Sequence, residues 1–196
     1  MIKFFVNKEL SQKLNINLAK WKRWSREFLP PDPLGGLQSG YARQYNPNEA
    51  FTVYLGGFLV ANLKFSIPEA KQILQDLHGW LGDKGFFFDA KGSIGTKKGV
   101  DNIIQKYIVS VVKDKYTIKE KMGFHYQVRG IISNRPIRYQ GFEIMEELYV
   151  ETSIGSQVEP PSTTEIDTVK TLNITGFLNG FVERMEIDGM HYPALN

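Results

Sequence analysis

Asn17-Leu18-Ala19-Lys20-Trp21-Lys22-Arg23-Trp24-Ser25-Arg26-Glu27-Phe28-Leu29-Pro30-Pro31 is the stretch on which the fold turns. Asn17 has the short polar side chain that accepts hydrogen bonds from backbone N–H groups and so opens a helix. Leu18, Trp21, Trp24 and Phe28 recur at helical spacing, which predicts a helix over 18–28 with those four facing inward. Lys20, Lys22, Arg23 and Arg26 fall on its other side. Pro30-Pro31 ends the segment, because proline lacks an N–H and pushes the residue before it out of helical geometry.

Working outward, Asn7 is placed to cap a first short helix through Leu14, with Leu10 and Leu14 on one face. Asn15-Ile16-Asn17 breaks that pattern and leaves a tight turn. Downstream, Pro30 to Gly36 suits neither a helix nor a central strand. Tyr41, Arg43 and Tyr45 alternate with Ala42 and Gln44, as in a short exposed strand. Asn46-Pro47-Asn48-Glu49 is a helix start with cap, proline and first-turn acid, and it opens the apolar stretch Phe51 to Leu63. Ser66-Ile67-Pro68-Glu69 repeats this logic for a fourth helix, Glu69 to Leu81.

The character changes after Trp80. Gly82, Gly85, Gly92, Gly95 and Gly99 punctuate a loop-rich stretch, and runs suited to strands follow: Tyr107–Lys113, Phe124–Ser133 and Ile137–Glu151. Gly155 to Thr164 reads as an exposed loop. Val169 to Ile187 fits a helix by its apolar residues, while Gly176 and Gly180 argue for strand and turn. The expected class is α+β. Residues 1–82 would form an all-α winged helix-turn-helix of four helices plus a wing. Residues 83–196 would form a β-rich α+β domain for oligomerisation or sensing.

Composition bounds the function. Of 196 residues, 42% are hydrophobic and 23% charged, as in ordinary globular chains, which excludes global disorder. With no cysteine there is no disulfide, thiolate metal site or thiol nucleophile, and a reducing cytoplasm, near the nucleoid, is the expected location. Ile2 to Val6 is too short for a signal-peptide core, and no segment approaches the roughly 20 apolar residues of a membrane span. The net charge of +3 is unevenly spread: residues 1–82 carry ten Lys or Arg against six Asp or Glu, and the remainder fourteen against fifteen. Much of the basic excess lies between Lys3 and Arg26, an arrangement that attracts polyphosphate backbones.

A helix, a tight turn, a second helix and a wing match duplex DNA, whose major groove admits one α-helix while a neighbouring strand or loop reaches the minor groove or backbone. Here the sequence resembles the DNA-binding domain of MerR-type regulators. The resemblance rests on Phe5-Val6-Asn7-Lys8-Glu9-Leu10, Leu14-Asn15-Ile16-Asn17, Trp21-Lys22-Arg23-Trp24, Leu29-Pro30-Pro31, Gly40-Tyr41-Ala42-Arg43-Gln44-Tyr45 and Glu49. It covers residues 4 to about 81 in order, with Phe65-Ser66-Ile67-Pro68-Glu69 standing where the family begins its last helix. The resemblance implies that helix 18–28 enters the major groove, with Asn17, Lys20, Lys22, Arg23 and Arg26 toward DNA. Arg43 would border the minor groove, and Tyr41 and Tyr45 would contact phosphate or pack the wing. The family's dimerising coiled coil has no counterpart, because Asp83 onward shows no heptads.

The remaining motifs read blandly. Gly92 to Gly99 has the composition of a phosphate loop without the Gly-Lys-Ser/Thr ending, leaving Lys97 and Lys98 as auxiliary backbone contacts. His78, His125 and His191 are scattered, so no metal or other cofactor is expected. Glu143, Glu146, Glu147 and Glu151 fall on both faces of a strand, as at a solvated hairpin edge. Nothing points to an enzyme. The expected protein is a sequence-specific binder of double-stranded DNA and a transcriptional regulator, assembled as a homo-oligomer, with any small-molecule effector unidentified. An architectural factor for recombination or segregation and a winged-helix protein-interaction module are the alternatives.

Overall fold

In the computed structural model, which describes residues 4–32, 42–88, 103–114, 123–154 and 166–187, the helix at 18–28 is present with those ends. The described chain runs β1 (Phe5–Val6), α1 (Asn7–Lys13), α2 (Leu18–Phe28), β2 (Gln44–Tyr45), α3 (Pro47–Ala61), α4 (Ile67–Asp83), β3 (Lys106–Asp114), β4 (Phe124–Tyr139), β5 (Phe142–Ile154), β6 (Ile166–Asn173) and α5 (Ile174–Met185). It is a mixed α+β protein whose strands form two antiparallel sheets among the described residues. No described helix is long and apolar enough to cross a membrane.

The turn from α1 to α2 follows from three side chains. Asn15 takes the left-handed conformation at φ 53°. There it lets Ile16 N–H reach the Ser11 carbonyl at 2.9 Å and Asn15 N–H reach Gln12 at 3.2 Å, a Schellman termination in which asparagine replaces the usual glycine. Ser11 Oγ donates to the Ile16 carbonyl at 2.7 Å. Asn17 Oδ1 then accepts from the N–H groups of Ala19 (2.9 Å) and Lys20 (3.2 Å), starting α2. The same termination recurs at Gly85 after α4 and at Glu186 after α5. Both expected capping boxes form, Asn46 with Glu49 and Ser66 with Glu69.

Two expectations about the first helices are corrected. Asn7 does not cap α1: Val6 holds that position, and the Asn7 carboxamide accepts from the Tyr45 hydroxyl instead. Leu18 does not join the inward stripe of α2. It is exposed on the first turn, and Ser25 takes its place beside Trp21 and Trp24. The segment read as an exposed strand is also different. Gln44-Tyr45 pairs with β1, Phe5 opposite Tyr45, and Tyr45 is buried.

Contacts divide the chain into two units, Met1–Gly95 with Gly180–Met190, and Thr96–Asn179 with His191–Asn196. The boundary expected at residue 82 is thus moved, and residues 83–95 and 180–190 belong to the first unit. Two anchors hold the later residues to the first unit. The Asn48 carboxamide makes paired hydrogen bonds with the backbone of Phe88 (2.7 and 2.9 Å), and Phe181 stacks edge-on against Phe51 at 5.4 Å. The centre of this unit is α3, buried on most sides through Phe51, Val53, Leu55 and Leu59. Its glycines seat α2: a Cβ on Gly57 would lie 2.2 Å from the Trp24 ring, and one on Gly56 2.6 Å from the Phe28 ring.

The second unit is a four-stranded sheet in the order β5-β4-β3-β6. Tyr107, Val109, Val111, Tyr126 and Val128 are buried in it. The expected break at residues 134–136 does not occur. β4 runs on to Tyr139 and turns at Gln140-Gly141, both with positive φ (50° and 85°), as a two-residue type I′ hairpin requires. Pro136 is tolerated because β3 reaches only as far as Ile131 on β4, so beyond it that edge of β4 has no partner strand among the described residues. The ambiguous stretch 169–187 is both things in succession, the end of β6 and then α5.

Candidate nucleic-acid interface

Trp21, Trp24 and Ser25 are the buried side of α2, with Phe28 half-buried below them. At roughly 100° per residue, Lys22, Arg26, Ala19 and Arg23 occupy one arc of about 100° opposite that side. All four are exposed. Lys20 lies at the flank, its ammonium 5.9 Å from the centre of the Trp24 ring. Among the described residues, Lys20, Lys22, Arg23 and Arg26 form no ion pair.

Electrostatics sharpen this asymmetry. Glu27 is the acid of α2, and Lys71 of α4 engages it at 2.8 Å. The Lys71 hydrogen bond and charge, with smaller help from Arg23 and Arg26, hold its carboxyl below the ordinary 4.5. The negative charge of α2 is therefore balanced from α4, and its outer arc keeps uncompensated positive charge.

Beside this arc is a cleft of about 390 Å³ lined by Lys22, Arg26, Pro30, Pro31, Arg43 and Tyr45, among others. Arg43 closes one wall. Its guanidinium donates to the Pro30 carbonyl at 3.0 Å, approaches Glu49 at 3.5 Å and sits 5.4 Å from the Tyr45 ring centre. With its side chain 14% exposed, Arg43 braces the chain leaving α2 against the start of α3. Tyr45 is engaged from beneath: its hydroxyl donates to Asn7 Oδ1 at 2.7 Å and lies 2.7 Å from Ser25 Oγ, while its ring meets Trp21 edge-on.

The structure thus gathers Lys22, Arg23 and Arg26 on one arc of α2, leaves Lys20 at its flank and Asn17 engaged as its cap, and sets Arg43 and Tyr45 into the scaffold beside it. Tyr41, most of the wing, the Gly92–Gly99 segment with Lys97 and Lys98, the 155–164 loop and His191 lie outside the described residues. Sequence reasoning did not single out Ser25 or the Gly56-Gly57 pair, and it read Asn7 as a helix cap and not as the partner of Tyr45. A glycine pair in the middle of a strongly apolar helix was the available signal, since it marks close approach of another element.

Comparison with known proteins finds no matching family model, no similar curated protein and no similar solved structure.

Proposed function

We propose that the first unit binds double-stranded DNA, with α2 in the major groove, and that the protein is a transcriptional regulator built on a MerR-like winged helix. The observation that carries this reading is the outer arc of α2, where Lys22, Arg23 and Arg26 surround Ala19 with no carboxylate paired to them among the described residues. Cations without partners at the surface of a rigid helix are what a phosphate backbone neutralises on binding. Arginine adds specificity, because its fork binds guanine O6 and N7 together. Ala19, small and central, lets the helix approach closely and can pack on a thymine methyl. The resemblance to MerR-type domains in the order of motifs supports the same assignment.

The reading gives Arg43 and Tyr45 a supporting part: they fix the exit of α2, and through it the depth at which the helix is presented. Selection of bound duplexes from a random pool by the full chain tests the proposal. Enrichment of a defined site is expected, with loss of that enrichment in Arg23→Ala and Arg26→Ala. A pool that stays unenriched with correctly folded protein contradicts it. Binding without site preference would favour an architectural role over regulation.

A further inference from the structure

β3 supports β4 only to Ile131, so residues 133–139 and 142–148 form a two-stranded arm with no third strand among the described residues. Two-stranded ribbons are at best marginally stable alone in water. The arm's side chains alternate between two faces. One face continues the side of the sheet on which Tyr126, Val128 and Gly130 are buried, since Gly130 pairs with Val150 and a Cβ there would meet Ile104. Along β5 this face carries Val150, Leu148, Glu146, Ile144 and Phe142, and along the arm of β4 it carries Arg135, Ile137 and Tyr139. Phe142 is 74% exposed, Tyr139 58% and Leu148 56%, with Ile144 and Val150 exposed as well. The opposite face is mainly charged, with Arg138, Glu143, Glu147, Glu151 and Arg129; its exposed apolar side chains are Met145 and Tyr149, and Arg129 stacks 4.2 Å from the Tyr149 ring.

The core-facing pattern therefore runs past the core into solvent. With aromatic side chains burying roughly 150–250 Å² each, the strip offers on the order of 500 Å² of apolar surface. Monomeric proteins rarely leave contiguous patches larger than a few hundred Å² uncovered. Two such strips together approach the roughly 1,200 Å² at which specific interfaces begin.

We infer that this apolar face of the arm is the contact between two copies of the chain. The inference stands on the arm alone and is independent of the DNA reading. Its charge pattern selects a second copy. The strip holds one opposite-charge pair, Arg135 with Glu146 at 2.7 Å, flanked by Ile137 and Ile144 and then by Tyr139 and Phe142. A two-fold axis running along the arm, between two facing strips, sets β4 of each copy over β5 of the other. Arg135 then lies over the partner's Glu146, and apolar residues lie over apolar ones, so the surface is complementary to itself. Pairing along the outer edge of β5, which has no neighbour among the described strands, is disfavoured, because Glu143, Glu146, Glu147 and Glu151 would line both sides of that seam.

Sedimentation equilibrium of the full chain without DNA tests the inference. The wild type is expected to be dimeric, and Arg135→Glu and Glu146→Arg each weaken the dimer ten-fold or more while circular dichroism stays unchanged. Mixed together, the two variants form a heterodimer, because each mutated residue then meets its opposite across the interface. A monomeric wild type overturns the inference, and so does a mixture no tighter than its components. An E146R protein that dimerises more tightly than wild type would move the contact to the β5 edge and overturn it equally.

Discussion

Gly57→Ala and Gly79→Ala place the same substitution in two helices and are expected to move stability in opposite directions. At residue 57 the added methyl would sit 2.2 Å from Trp24 Cε3 and 2.3 Å from Cζ3, where ordinary contact needs at least 3.4 Å. The indole is buried and has to retreat by more than an ångström. A clash this deep belongs in the upper part of the range for overpacking, about 2–3 kcal/mol, and the better helix propensity of alanine returns about 1 kcal/mol, so a net loss of about 1–2 kcal/mol is expected. At residue 79, in the exposed part of α4, nothing lies within 4 Å of the new methyl. Only the propensity remains, and a gain of about 0.5–1 kcal/mol follows. Trp21, Trp24 and Trp80 all belong to the first unit, so tryptophan fluorescence during urea unfolding follows that unit selectively. With a slope of about 2 kcal/mol per molar urea, the midpoint falls by roughly 0.5–1 M for Gly57→Ala and rises by about 0.3–0.5 M for Gly79→Ala. A Gly57→Ala protein as stable as wild type would refute the account of how α2 is seated on α3.

Tyr45→Phe removes the hydroxyl shared by Ser25 and Asn7 and leaves the buried Ser25 without that partner, costing about 1–3 kcal/mol in the same urea assay. Adding Ser25→Ala should then cost little more; strict additivity of the two changes would deny the shared bond. The Glu27 carboxyl, held below its ordinary 4.5 mainly by Lys71, contributes stability that is present above that value and lost as pH falls through the depressed one. The advantage of wild type over Glu27→Gln should therefore be constant near neutrality, begin to shrink near pH 4.5 and disappear only once pH is below the depressed value. An advantage that does not shrink at all as pH falls below 4.5 would assign it to packing and not to charge.

How far the sequence foretold the molecule depended on the range of the interactions. Helix ends were legible because Asn17, Asn46-Pro47-Glu49 and Ser66-Pro68-Glu69 satisfy backbone groups within three residues of themselves. Asn7 misled because a capping residue type carries no mark of a partner 38 residues away, and Tyr45 is that partner. Leu18 misled because spacing alone cannot tell the last residue of an apolar stripe from the first residue of an exposed turn. In the sheet, Asn134-Arg135-Pro136 imitates a turn, yet the reversal falls at Gln140-Gly141. What permits proline in β4 is the end of β3, a fact of topology. The basic arc of α2 was readable from helical periodicity. The engagement of Arg43 with Pro30 and Glu49 was not, since it depends on the path of the chain between them.

The central claim, that α2 presents its cations to duplex DNA, is tested most directly by the salt dependence of binding to the selected site. Fluorescence anisotropy of the full chain across a salt series should give a linear fall of log affinity with log salt. The slope should flatten by about 0.9 for each phosphate contact removed, as with Lys22→Ala or Arg26→Ala. Affinity indifferent to salt, or a slope unchanged when both side chains are lost, would contradict the claim.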